Sequence, residues 1–269
     1  MGSTEVPVDP QRVVTLDSPH LDAALSLGLT PVGSVQSAVA QGLPAYLGTR
    51  TEGIEVVGTI EEPNLEAIAA LDPDLILSAT VRHEQLYDQL SRIAPTVFTA
   101  SSGTDWREGF DLVAEALNRS EEGDTALAEH DERVEAVGRR IGAEGTSASI
   151  VRFLPEETRV YGPGTFSGSV LSEVGLDLPD LDYDEYSMAY ISPEQVQLVD
   201  ADAIFSATYG DPSATTRGAV SVLWQRLPAV QEGCQFDIED DEWMIGIGLI
   251  GAGIILDDLE NALGDSSCA

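Results

Sequence analysis

Residues 64–80, NLEAIAALDPDLILSAT, match residues 192–208, SPEQVQLVDADAIFSAT, without a gap, and seven of the seventeen pairs are identical. Average residue usage gives about one such identity by chance. Glu66 falls on Glu194, Asp72 on Asp200 and Asp74 on Asp202, and both copies end in Ser-Ala-Thr. Each copy reads as a short helix, a tight turn containing aspartate, and a strand, Asp74–Ser78 in the first and Ala203–Ala207 in the second. The unbroken apolar character of these strands indicates burial on both faces. A duplicated helix–turn–strand unit predicts two α/β lobes of related design.

The segments around the repeat fit the same plan. Arg12–Leu16 and Ser149–Phe153 read as the first strands of the two lobes, and Leu21–Gly28 and Gly168–Gly175 as the helices after them, each closing on glycine. Between them Glu122–Ile141 places Leu127, Val134, Val137 and Ile141 on one helical face. The predicted division is an N-terminal lobe over 1–120, a single long connecting helix over 121–143 and a C-terminal lobe over 144–269. Open α/β sheets bind ligands beyond the carboxyl ends of their strands. The loops beginning at Val81-Arg82-His83, and running from Tyr209 to Arg217, are therefore expected to face each other across a cleft holding a small molecule.

Composition narrows the setting. The 269 residues are 43% hydrophobic, enough for a substantial core. Acidic residues number 47 against 13 basic ones, all arginine, for a formal charge of −34. The acids are dispersed through apolar-periodic segments, so they do not form a disordered tail. At molar salt the screening length shrinks to about 3 Å, which removes most of the self-repulsion, so a salt-loving source is expected. Such a polyanion excludes nonspecific nucleic-acid binding.

No stretch approaches the roughly 20 apolar residues of a membrane span, and Met244–Leu256 is the longest candidate. The start, Met1-Gly2-Ser3, carries no charged and apolar leader, so a signal or lipobox segment is not present in this sequence. Cys234 and Cys268 are too few for a zinc site; a single bridge between them is open. His20, His83 and His130 have no metal-ligand spacing, His130 reads as an interface or surface histidine, and no protein-held metal or cofactor is expected.

Two motifs mislead. Gly246-Ile247-Gly248-Leu249-Ile250-Gly251 satisfies the dinucleotide pattern, but too little chain follows for the second strand and its acidic residue; it reads as a glycine-rich approach to the last helix. Gly164-Thr165-Phe166-Ser167-Gly168 evokes a nucleophile elbow, but its serine is misplaced and no histidine follows it.

The order of RVVTL (12–16), ALSLGLTPVG (24–33), VGTIEEPNLEAIAALDPDLI (57–76), YDQLSRIAPTVF (87–98), WREGFDLVAEALN (106–118), VRFLPEETRVYGPGTFSGSVLSEVGL (151–176), WQRLPAV (224–230) and ILDDLENAL (255–263) resembles the extracytoplasmic substrate-binding proteins of ABC importers for ferric siderophores and cobalamin. RHEQLYDQLSRIAPTVF (82–98) taken with VRFLPEETRVYGPGTFSGSVL (151–171) resembles binders of hydroxamate and citrate–hydroxamate siderophores. The resemblance implies the class III periplasmic-binding-protein architecture, two Rossmann-like lobes on one long helix, with iron held by the siderophore. It implies a monomer that delivers its ligand to a permease dimer with its ATPase, and that meets the membrane through the transporter or a lipid anchor. It also implies that Glu66 and Glu194, one per lobe, dock onto permease arginines. Helix-dipole stabilisation or capping at the start of each repeat helix is the competing explanation for both. The departure from the family pattern is the absence of lysine, which leaves any cationic contact to arginine.

An oxygen-rich ferric complex needs local positive charge on so negative a protein, and the guanidinium fork supplies it with paired hydrogen bonds. Arg82 lies past the first repeated strand, Arg152 inside the first strand of the second lobe, Arg217 after the other repeated strand, and Arg107 near Trp106. Arg82 could instead form a surface ion pair, and Arg152 could pair with a buried carboxylate. Tyr209, Tyr161 and Trp243 are the aromatic candidates, whereas Trp106 and Trp224 read as core. His20 could line the mouth, but it and His83 read as partly exposed loop histidines. Cobalamin or haem as ligand, and an α/β enzyme acting on an anionic small molecule, are the rival functions.

Overall fold

Short strands, most of them apolar and most followed by a helical segment, build two sheets. The computed structural model describes residues 2–36, 42–266 and 268. It divides into two units, Met1–Glu129 with Ile245–Gly251, and His130–Met244 with Ala252–Ala269. The 245–251 stretch, which the sequence division placed with the C-terminal lobe, belongs to the first unit.

In the first unit the strands are β1 (Val13–Thr15), β2 (Gly33–Ser34), β3 (Glu55–Val56), β4 (Leu75–Ala79) and β5 (Thr96–Thr99). Their order is β3-β2-β1-β4-β5 and every pairing is parallel. β1 and β4 are wholly buried, as their apolar sequences require. The helices are α1 (Ser18–Ser26), α2 (Leu65–Ala70), α3 (Thr80–His83), α4 (Tyr87–Leu90) and α5 (Trp106–Ala116). One core cluster sets Val13, Leu75 and Leu77 against Ala24, Leu27, Phe110 and Val113; another sets Val14 and Ile76 against Ile68 and Leu90.

Helix α6 (Ser120–Ile141) carries the chain from the first unit into the second. Strands β6 (Ala148–Phe153), β7 (Thr158–Tyr161), β8 (Met188–Ile191), β9 (Ala203–Thr208) and β10 (Gln235–Asp237) lie in the order β10-β9-β6-β7-β8. Here β10, β9 and β6 are parallel, while β7 and β8 are antiparallel additions. The remaining helices are α7 (Phe166–Val174), α8 (Arg217–Trp224), α9 (Pro228–Glu232) and α10 (Leu249–Leu263). Helix α7 closes on Gly175, whose φ of 103° suits a residue without Cβ. Cys234 and Cys268 form a disulfide, settling the pairing that the sequence left open. Among the described residues no helix is long and apolar enough to cross a membrane.

The repeat is structural. In the first copy Asn64 caps α2, its Oδ1 accepting from the amides of Glu66 and Ala67 at 3.1 and 3.0 Å. In the second, Pro193–Val199 is a 3₁₀ helix, and the Gln195 side chain accepts from the Ser192 amide at 3.0 Å. The matched aspartates do one job twice. Asp74 accepts from the amides of Gln11 and Arg12 at 2.8 and 2.9 Å, just before β1. Asp202 accepts from the amide and hydroxyl of Ser147 at 2.8 and 2.7 Å, just before β6, and these bonds hold its carboxyl below the usual range. Each carboxylate thereby locks the first strand of its unit beside the repeated strand. Asp74→Ala and Asp202→Ala are each expected to lower unfolding stability by about 1.5 kcal/mol, measured by denaturant titration in high salt.

Candidate functional site

In the first unit the carboxyl ends of β1, β4 and β5 converge on one carboxylate. Asp17 follows β1 and caps α1, its Oδ1 accepting from the Ser18 amide at 2.8 Å. Its Oδ2 accepts from Arg82 Nε at 3.0 Å and from Ser102 Oγ at 2.6 Å. The Asp17 side chain is 2% exposed and that of Arg82 is 43% exposed. Asp17 thus aims the guanidinium, and both Arg82 Nη groups carry no protein hydrogen bond among the described residues. The expected loop at Val81 is corrected: the chain enters α3 at Thr80, directly after β4.

The two loop histidines are also corrected. His83 is buried, its Nε2 donating to the Ile60 carbonyl at 2.6 Å and its Nδ1 lying 2.7 Å from Ser78 Oγ. His20 lies within α1 and is buried. Thr99 Oγ1 gives its proton to the Ser101 carbonyl at 2.9 Å, so it accepts from His20 Nε2 at 3.1 Å. Burial pulls the His20 pKa from 6.5 down to about 4, against the opposing pull of Asp17. The cavity beside it, lined by Pro19, Thr99, Ser102 and Trp106 among others, holds about 20 Å³ and is too small for a siderophore. Arg107 lies over the buried Trp106 ring, 5.0 Å from its centroid.

In the second unit Arg152, Tyr161 and Tyr209 come together. Arg152 donates from Nε and Nη2 to the two oxygens of Asp240, both at 2.6 Å, and from Nη1 to Tyr161 Oη at 3.2 Å. The Tyr209 ring lies 5.3 Å from the guanidinium carbon. Burial alone would lower the guanidinium pKa, but the Asp240 hydrogen bonds outweigh it and the pKa rises. Of the two readings of Arg152, the buried carboxylate pair is the one the structure contains. All three of its nitrogens are engaged, so it contributes a fixed charge to this face.

Successive strand residues face opposite ways. Arg152 shares its face with its register partners Ala207 and Arg159, whereas Phe153 and Thr208 share the other. Arg217 belongs to that second face, donating to Thr208 Oγ1 at 3.0 Å and Asp237 Oδ1 at 2.6 Å, with its guanidinium 5.7 Å from the Phe153 ring centroid. It opens α8 and is not part of a loop. Trp243, proposed as a ligand contact, is fully buried: it stacks on Phe205 at 5.0 Å and donates to Asp258 at 2.8 Å. The structure places it in the core, as it does Trp224 in the same unit and Trp106 in the first. His130 is likewise buried, with Nε2 3.6 Å from Glu173.

Sequence reasoning missed Asp17, Ser102, Asp240, Arg159 and Tyr190. Arg159, on β7, donates from Nε to Glu157 at 2.6 Å and lies 5.8 Å from the Tyr190 ring centroid. The Asp17-Ser18-Pro19 start was a legible helix cap. Asp240 was hidden in an acidic run.

Two α/β units joined through a long helix, each with a carboxylate-anchored arginine at the strand ends, define a ligand-binding protein. The chain belongs to the periplasmic binding protein family, whose model matches residues 13–242. The fold is that of the class III members. It is 35% identical over 275 residues to the "Probable siderophore-binding lipoprotein YfiY" of Bacillus subtilis, covering 97% of this chain and 85% of that protein. It is 30% identical to the "Fe(3+)-citrate-binding protein YfmC" of the same organism, covering 90% of this chain and 77% of that protein. Staphylococcus aureus SirA, solved in complex with staphyloferrin B, superposes with a TM-score of 0.83 at 31% identity, covering 98% of this chain and 96% of that one.

Two outcomes follow from this geometry. Asp240→Ala strands a buried guanidinium and is expected to cost about 3–5 kcal/mol of stability in denaturant titration. His20, with its folded pKa below the unfolded one, contributes stability that is complete above pH 6.5 and lost as pH falls toward 4. That loss amounts to about 3 kcal/mol. In an NMR titration its ring should stay neutral to about pH 4.

Proposed function

We propose that this chain is the extracytoplasmic binding protein of an ABC importer and captures a ferric siderophore rich in carboxylate or hydroxamate oxygens. The observation that carries the reading is Arg82, aimed by a buried carboxylate with both Nη groups available for an anion. The cluster of Arg152, Tyr161 and Tyr209 supplies a second polar aromatic group, with Arg159 opposite Arg152 as a further cation. The named ligands of the relatives, a siderophore, ferric citrate and staphyloferrin B, are of this chemistry.

Glu66 and Glu194 are both exposed in the first turns of the repeat helices, and the caps there are made by other side chains. They are the proposed docking carboxylates for a permease dimer with its ATPase, engaged by a monomeric binding protein at the membrane surface.

Titration in high salt with ferric citrate, ferric hydroxamates, catecholates, haem and cobalamin, followed by tryptophan fluorescence, is expected to select a ferric citrate or hydroxamate. Arg82→Ala should weaken that ligand at least tenfold, the effect of losing a charge-assisted hydrogen bond of about 1.5 kcal/mol. Reversing both Glu66 and Glu194 should abolish uptake in cells and leave affinity unchanged. Preference for haem or cobalamin, or turnover of any ligand, would overturn the proposal.

A further inference from the structure

The acids of this chain are unevenly placed. They make up 47 of the 269 residues, yet none falls between Asp211 and Glu232, a stretch that contains all of α8 and whose charged residues are Arg217 and Arg226. The stretch is not hidden. On α8 Val220 and Trp224 are buried, whereas Gly218, Ala219, Ser221 and Val222 are exposed, Val222 at 67%, and exposed Gln225 and Arg226 follow. The longer acid-free run 23–51 is different, because its α-helical part, the end of α1, is buried or half-buried.

The 3₁₀ helix Pro193–Val199 packs against α8. Side chains three apart share a face in such a helix. Val196 and Val199 are buried; Gln195 and Leu198 are exposed, Leu198 at 42%, and so are Glu194 and Gln197. The two helices together offer leucine, valine, small and amide side chains to solvent, and Glu194 is the one acid within either span. Exposed apolar groups with a polar surround mark interaction surfaces. The centres of protein interfaces are depleted of charge, since a carboxylate desolvated without a partner is costly. A single carboxylate that does find a cation sets register and partner choice.

We propose that the face made by α8 and the 3₁₀ helix Pro193–Val199 is a docking surface for the permease of the importer, with Leu198 and Val222 as its apolar contacts and Glu194 as its ionic one. This rests on the reading of the chain as an importer's binding protein. Two observations select the permease as occupant. The face contains Glu194, the carboxylate proposed above to meet a permease arginine. The pairing also recurs in the first unit, where Glu66 lies in the first turn of α2 and Val81, 58% exposed, stands on α3 directly after the other repeated strand. A glutamate and an exposed valine present once in each unit suit a partner built of two like halves, as a permease dimer is.

The test compares Val222→Asp and Leu198→Asp with Val8→Asp, which adds the same charge at an exposed valine outside the face. Each protein is purified in high salt for light scattering and for titration with ferric citrate and a ferric hydroxamate. Each is also expressed in cells as the sole binding protein, and uptake of radiolabelled iron is measured in the same two chelates. Val222→Asp and Leu198→Asp are expected to lower uptake at least tenfold with affinity unchanged, Val8→Asp to leave uptake unchanged, and every protein to be a monomer. Undiminished uptake in both face variants would overturn the proposal, as would an equal loss in Val8→Asp. A matching loss of affinity would assign the face to the ligand, and a dimer broken by Val222→Asp would assign it to a second copy; either result overturns the proposal. No uptake by the unsubstituted chain in either chelate would overturn the importer reading itself, and this proposal with it.

Discussion

Four guanidinium groups near the strand ends of this chain, whose formal charge is −34, already hold a carboxylate partner in the absence of any ligand. Arg82 has Asp17, Arg152 has Asp240, Arg159 has Glu157 and Arg217 has Asp237. What differs is how much of each fork the partner leaves free. Asp17 takes only Nε of Arg82, and that carboxylate is itself fixed by a helix amide and a serine hydroxyl. Asp240 takes two nitrogens of Arg152 and Tyr161 the third. On the proposed function, recognition of an anion on such a surface depends on these residual donors, because the field of the whole molecule opposes it.

The fold supplies the geometry for this division. In the first unit an all-parallel sheet brings three strand ends to one place, so a single buried aspartate can tie a helix start to an arginine and a serine. In the second unit the antiparallel strands β7 and β8 replace two parallel ones and set Arg152 directly opposite Arg159. Like charges in that position repel. Asp240 and Glu157 offset the repulsion, and Tyr161, Tyr190 and Tyr209 surround the two cations.

The duplication was legible because its signal is local: two helix starts, two aspartates and two apolar strands recur at fixed spacing, and Asp74 and Asp202 each tie the residues just before the first strand of their unit. The long helix and the glycine stop at Gly175 were legible for the same reason. The arginine candidates were legible as chemistry, but their partners were not. Any of 47 acidic residues could have paired with Arg152, and only tertiary packing selects Asp240. His83 was misread as a loop residue because α3 begins immediately after β4 and leaves no polar turn to announce it, whereas His20 was misread although Asp17-Ser18-Pro19 announces α1. Trp243 follows an acidic run that suggests exposure, yet its indole is carried inward to Phe205 and Asp258.

The central claim is that short-range guanidinium contacts capture an anionic chelate against a repulsive long-range field. The salt dependence of ferric citrate affinity separates the two most directly. Raising sodium chloride from 0.1 M to 1 M shortens the screening length from about 10 to 3 Å, which removes the long-range field and leaves contact pairs much less affected. The account predicts that affinity rises over this range while the protein remains folded throughout. A steep fall in affinity with salt would mean that long-range attraction drives binding, and would contradict it.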